Sequence, residues 1–210
     1  MKPFPIVVAA IALAAVPAQA AVVWSSGPDN LTNGDNLVFG IAEQFRLTSI
    51  TQLTDLLFWQ GEFAVSPDPS DIYFWEILSD ASGSPGSLID SGLTSTYTKT
   101  SFGSFLNGGF TINSYEISFP INPGLLSAGT YWLKLRNNTG AGFWDVAASC
   151  AATCPDGTPP GALYETDPPS THNLEYAFQL SGTGAPEPST TSLLLSSCLI
   201  GFCAYRRSSR

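Results

Sequence analysis

The sequence predicts an all-β fold in which two antiparallel sheets pack as a sandwich, jelly-roll-like in its strand order. Three observations predict it. Several segments alternate apolar and polar residues with period two. Turns rich in Gly, Pro, Asn and Asp punctuate them at short intervals, and no segment of the body sustains a capped 3.6-residue apolar period. Eight or nine strands at this spacing, with no helices between them, have to bury their apolar faces against one another. A closed barrel is the competing arrangement.

Taken in order, residues 1–20 have the layout of a secretory signal peptide: Lys2, an apolar run from Ile6 to Val16, and the small-x-small site Ala18-Gln19-Ala20. That run is about half of what spans a bilayer as a helix, so cleavage before Ala21 is expected over retention as an N-terminal anchor. Residues 21–181 form the sandwich domain. "LVFGIAEQFRL" puts Leu37, Phe39, Ile41, Phe45 and Leu47 on one face, with Glu43 as the polar exception. "DIYFWEIL" is apolar on both faces apart from Glu76, as a central strand would be. "SYEISFPI" turns Tyr115, Ile117, Phe119 and Ile121 one way, and "NLEYAFQLS" does the same with Leu174, Tyr176, Phe178 and Leu180. "GPDNLTNGDN", "SPDPSD", "SDASGSPGS", "LNGG", "NPG", "NNTGAG" and "CPDGTPPG" read as turns. Residues 182–185 are a linker and 186–210 a distinct tail.

Between Ala21 and Ala185 the chain carries sixteen acids and four bases, Arg46, Lys99, Lys134 and Arg136, a formal charge of −12. That surface repels phosphate backbones and holds no basic stripe, which excludes nucleic acid as a partner. Cys150 and Cys154 are the cysteine pair of the body and, in an exported chain, are candidates for a loop-closing disulfide. Two thiols and the single His172 do not make a zinc site.

Tryptophan follows another aromatic four times, at Phe58-Trp59, Phe74-Trp75, Tyr131-Trp132 and Phe143-Trp144. Strand neighbours point to opposite faces, so one ring of each pair can enter the core while the other shields the outer face. The functional alternative is a sugar-stacking platform formed by outward members of Trp59, Trp75, Trp132 and Trp144, with Asp71, Glu76 or Asp145 as acceptors. "PDNLTNGDN" offers a weak calcium site through Asp29, Asn33 and Asp35, with Gly34 for the sharp turn; a plain Asx-rich turn explains the same residues. "LTSTYTKTS" sets Thr94, Thr96, Thr98 and Thr100 on one side of an expected strand, but one rank without an internal repeat is no ice-binding surface.

No G-x-S-x-G elbow and no H-E-x-x-H helix occurs. His172 with Asp167 sits in a turn-rich stretch that reads as a solvated loop rather than a triad. Paired carboxylates for glycoside hydrolysis are available in number, but their spacing in space is not written in the sequence. No catalytic residue and no cofactor beyond a structural calcium is expected.

The tail has three parts: Pro186-Glu187-Pro188-Ser189, an uncharged and mostly apolar run from Thr191 to Tyr205, and Arg206, Arg207 and Arg210. The run is about 22 Å long as a helix, short of the roughly 30 Å hydrocarbon core, and the arginines would hold its end on the cytoplasmic side. In this order, behind a signal peptide, the parts resemble the PEP-CTERM sorting signal of Gram-negative bacteria, also labelled the ice-binding-protein C-terminal domain. The resemblance implies an exosortase, an integral-membrane cysteine transpeptidase, as the partner that reads the motif. It also implies surface display and extracellular polysaccharide. The body is similar to a domain frequent among such proteins: "AEQFRLTSIT" resembles its A-D-D-F opening, with Glu43 and Gln44 in place of the two acids. "DIYFWEILSDASGSPGSLI", "LLSAGTYWLKLRNN", "FWDVA" and "YAFQLSG" resemble its later strands.

The expectation is therefore a non-enzymatic exported protein, tethered to the inner membrane as an intermediate and then at the cell surface or outside. There it takes part in envelope, exopolysaccharide or biofilm organisation. The alternatives are an extracellular carbohydrate-binding module and, third, a secreted hydrolase.

Overall fold

The computed structural model describes residues 20–37, 40–64, 71–139, 142–147, 163–166, 169–172 and 176–184. Residues 1–19 of the expected signal peptide, Cys150, Cys154, the Pro-Glu-Pro motif and the terminal arginines lie outside these residues. Fourteen strands run through the described chain. They are β1 (Ala21–Ser25), β2 (Asp29–Asn36), β3 (Ile41–Leu47), β4 (Thr51–Phe63), β5 (Tyr73–Asp80), β6 (Pro85–Thr94) and β7 (Thr98–Asn107). There follow β8 (Phe110–Pro120), β9 (Leu125–Leu126), β10 (Gly129–Asn137), β11 (Gly142–Ala147), β12 (Leu163–Thr166), β13 (Pro169–His172) and β14 (Phe178–Gly184). No described helix is long and apolar enough to cross a membrane.

Pairing is antiparallel and divides the strands into two sheets. The smaller runs β13-β12-β3-β10-β5-β6. The larger is organised by β4, which pairs with β14 along residues 51–58 and with β11 along residues 60–62. On its other edge it pairs with β9 and then β8. β1 continues from β14, β2 from β11 and β7 from β8.

The inward faces meet in one core. Ile41 and Phe45 of β3, Tyr73, Trp75 and Ile77 of β5, and Leu133 and Leu135 of β10 oppose Leu53, Leu56 and Phe58 of β4, Ile117 and Phe119 of β8, Trp144, Phe178 and Leu180. Phe58 lies at the centre, edge-on to Tyr73 at 5.3 Å, Phe119 at 6.3 Å and Trp144 at 6.3 Å. Each such ring contributes about 1.5–3 kcal/mol on burial, plus a smaller gain from edge-to-face geometry.

The larger sheet also buries part of its outer face. Along β8 burial changes sides, from Ile112 and Ser114 to Ile117 and Phe119. On β4 every residue from Phe58 to Glu62 is buried. The cause is curvature: β2 and β7, at opposite ends of the sheet, approach to within 8 Å between Cα atoms. Leu31 of β2, left-handed at φ 55°, rests against the bare Cα of Gly103, where a Cβ would lie 3.0 Å from Leu31 Cδ1. A second, smaller compartment results, outside the main core.

Two expectations are corrected. "GPDNLTNGDN" is not a turn, because Asp29–Asn36 is β2, hydrogen-bonded to β11. The threonine rank is not one strand either. Thr94 ends β6, Thr98 and Thr100 belong to β7 of the other sheet, and Thr94 Oγ1 turns the chain between them by donating to the Thr96 carbonyl and accepting from its N–H. "LNGG" is the expected hairpin turn, with Asn107 opposite Phe110 and positive φ at both Gly108 (57°) and Gly109 (86°).

The indole of Trp75 lies over Gly92 of β6, where a Cβ would stand 2.6 Å from the ring. Replacing Gly92 by alanine should therefore destabilise the domain by about 1–3 kcal/mol through overpacking, read as a lower urea midpoint with unchanged slope.

Candidate functional site

Most of the buried polar residues gather where β4 carries Gln60, Gly61 and Glu62. Even-numbered side chains here face the other sheet. Gln60 Nε2 donates to Glu62 Oε1 at 2.9 Å and to Asp71 Oδ2 at 3.0 Å. Asp71, just before β5, is 1 % exposed and accepts from three further donors. These are Tyr73 Oη at 3.2 Å, Asn137 Nδ2 at 3.2 Å and Thr139 Oγ1 at 2.6 Å. One carboxylate thus holds β4 to β5 and to the end of β10, and hydrogen bonds to the charged form make its burial tolerable. Burial first, and then the Asp71 charge, push the Tyr73 phenol far above its usual range, so it stays a donor. Lys99 of β7 pairs with buried Glu62 and lies 4.3 Å above the Tyr115 ring.

The opposite face of the same segment carries a different arrangement. Asp145 of β11 is wholly buried over Gly61, where a Cβ would lie 2.7 Å from Asp145 Oδ1 and 2.8 Å from Ile112 Cγ2. Glycine is required there by close approach. Ser114 Oγ donates to Asp145 Oδ2 at 2.9 Å. Asp29 of β2, 4 % exposed, accepts from the Leu31 N–H at 2.7 Å and stands opposite Ala147, two residues along from Asp145. Burial, and next the neighbouring Asp29 charge, raise the Asp145 carboxyl well above the ordinary range, against the lowering effect of Ser114. Asp145 Oδ1 and Asp29 Oδ2 have no hydrogen-bond partner. Beyond Ile112 the compartment opens into a cavity of about 250 Å³ lined by Phe63, Phe105 and Phe110 among others.

The sequence-predicted sugar platform is corrected. Trp132 and Trp144 are wholly buried, and Trp59 and Trp75 are 5 % and 7 % exposed. The expected alternation of faces holds, since Trp75 and Trp144 enter the main core while Trp59 and Trp132 lie outside it. The outer two are nevertheless covered. Trp59 packs on Ala177 with Phe102 edge-on at 5.9 Å, and Trp132 packs with Ala42 and Leu78 and donates to Asp80 Oδ1 at 2.9 Å. That bond is the main cause holding the Asp80 carboxyl below its usual range.

The weak calcium loop is corrected in its backbone: Asp29 is a strand residue facing Asp145, and the side chains of Asn33 and Asp35 lie outside the described set. Sequence reasoning missed Glu62, Lys99, Ser114 and the Asp29–Asp145 juxtaposition. The Gln60-Gly61-Glu62 stretch directly after the apolar run Leu56–Trp59 was the available signal.

Among the described residues no group of three or more His, Cys, Asp or Glu side chains could hold a metal ion. No family model matches the chain, and neither a curated protein nor a solved structure matches it.

Two predictions follow from these clusters. Lys99→Met should cost about 3 kcal/mol by stranding the buried Glu62 charge, and adding Glu62→Gln should recover most of it, as measured by urea unfolding. The second concerns Asp145, whose proton affinity is higher folded than unfolded. Its contribution is fully present below the unfolded-state value and is lost as pH rises through the raised folded value. In buffer free of divalent cations, wild-type stability should fall as pH rises above the ordinary carboxylate range, and Asp145→Asn should flatten that decline.

Proposed function

We propose that this chain is a non-enzymatic exported protein delivered to the cell surface by a PEP-CTERM signal, serving in envelope, exopolysaccharide or biofilm-matrix organisation. The observation that carries the reading is the order of parts in the sequence: signal peptide, β-domain, Pro186-Glu187-Pro188-Ser189, apolar run, arginines. The run from Thr191 to Tyr205 is read as a short transmembrane helix, and an exosortase-type transpeptidase as the processing partner. Contact with the inner membrane is then transient if the tail is cut and lasting if it is kept. The sandwich is read as jelly-roll-like because successive segments alternate between sheets: β1–β2, β4, β7–β9, β11 and β14 in one, β3, β5–β6, β10 and β12–β13 in the other.

The acids of the body support a structural role. Asp71 is saturated by four donors that join both sheets, and Glu62 is tied to Lys99. The carbohydrate-binding alternative loses the four indole faces on which it rested, because all four are buried.

Intact-mass analysis of the protein from its host's surface and medium tests the reading. The expected species lacks residues 1–20 and everything beyond the Pro-Glu-Pro motif. Replacing Pro186, Glu187 and Pro188 together by alanine should leave export intact and block that second cut. A surface species that still carries Arg206–Arg210 would overturn the sorting assignment and leave a membrane-anchored protein.

A further inference from the structure

We propose that Asp29 and Asp145 form a binding site for one hard divalent cation, of the calcium class, on the outer face of the larger sheet. The two carboxylates come from adjacent strands, β2 and β11, and share a face across the bulge between Asp145 and Ala147. Each has one oxygen satisfied: Asp29 Oδ1 by the Leu31 N–H and Asp145 Oδ2 by Ser114 Oγ. Each has its other oxygen buried and without a partner. An unpaired acceptor at this depth is costly, and two on facing carboxylates are costlier still.

The described bases are placed elsewhere. Lys99 is paired with Glu62, Lys134 with Glu76, Arg136 lies over Phe74, and Arg46 is exposed on β3. A shared proton would remove one of the two charges and leave the other buried; a divalent cation neutralises both and takes both free oxygens. The donors in reach are all oxygens, two carboxylates and the Ser114 hydroxyl, which selects a hard cation over a thiophilic one. Calcium tolerates the irregular oxygen sets that a strand pair supplies better than magnesium does. Gly61 contributes by what it lacks, since any side chain there would displace Asp145 Oδ1. The site differs from the loop read in the sequence: it keeps Asp29, takes its second carboxylate from β11, and spans two strands. It goes beyond the proposed surface role and does not depend on how the tail is processed.

The test uses the full-length chain stripped with chelator. Calcium at about a hundred times its Kd should raise the wild-type Tm by about 5 °C. Terbium should bind one ion per chain, with emission sensitised by tryptophan and quenched by added calcium. Asp29→Asn and Asp145→Asn should each lose both responses, while Asp55→Asn, at an exposed position on β4, should keep them. A wild type indifferent to calcium overturns the proposal. So does a calcium response retained by both pair variants, or terbium binding in multiple copies that Asp55→Asn reduces equally. A calcium-indifferent wild type whose Asp145→Asn variant is the more stable at neutral pH would assign a shared proton instead. If Asp145→Asn does not fold, Asp29→Asn and the wild-type terbium stoichiometry decide.

Discussion

β4 is the constraint on which the larger sheet depends. Two strands lie end to end on each of its edges, β14 and β11 on one and β9 and β8 on the other, and the remaining strands of that sheet join through these. From Phe58 to Glu62 both of its faces are covered as well. A strand enclosed on two edges and two faces has no room for misplaced polar groups, yet this one carries Gln60 and Glu62 on the inner face and receives Asp145 on the outer. The glycine between them is what allows the outer carboxylate to approach the backbone at all.

The chain is strongly acidic, so how it buries negative charge decides much of its architecture. The buried acids are handled in different ways. Asp71 collects four neutral donors and acts as a cross-sheet tie, while Glu62 takes the ammonium of Lys99. Glu43, inward-facing between Ile41 and Phe45, accepts the backbone N–H groups of Gln44 at 3.0 Å and Tyr176 at 3.2 Å, and so helps dock the approach to β14. Asp29 and Asp145 stand apart because each keeps a buried oxygen without a hydrogen-bond partner and, unlike Glu62 with Lys99, neither is paired with a described base. Hydrogen bonds to a charged group offset burial only where every lone pair facing the interior is used. That contrast is why the pair is the proposed cation site and Asp71 a structural tie.

Much of the fold was legible because burial on a half-covered strand writes itself as alternation. Ile117 and Phe119 on β8, Phe178 and Leu180 on β14, and the polar exception Glu43 on β3 all fall on the faces their spacing gives. What failed did so for local reasons. β2 is rich in Asn, Asp and Gly, which signal turns, and it is a strand because β11 lies beside it. The Thr94–Thr100 stretch has the composition of a strand and no Gly or Pro, and the turn in it is made by the Thr94 hydroxyl. The indole faces were read correctly as alternating, but the curl that brings β7 over Trp59 has no signature in spacing. Asp29 and Asp145 are neighbours only through a strand pairing, so no window along the chain could have joined them.

The strand order also constrains how the chain can fold. β14 is not an edge added last to a finished sheet, because it sits between β1 and β4 and supplies Phe178 and Leu180 to the core. β1, the first strand of the body, has β14 as its sheet partner, and Ser26 next to it exchanges hydrogen bonds with Phe178 while its hydroxyl donates to the Tyr176 carbonyl at 2.6 Å. The two ends of the domain therefore complete each other, a pairing of very long sequence separation that carries a large loop-closure cost and slows folding. Until β14 is in place, β4 has one edge open along residues 51–58, the kind of edge that recruits other chains. Gly184, the last residue of β14, stands two positions before Pro186. Completion of the larger sheet thus requires almost the whole body to be available at once, and the strand that completes it is the one directly joined to the tail.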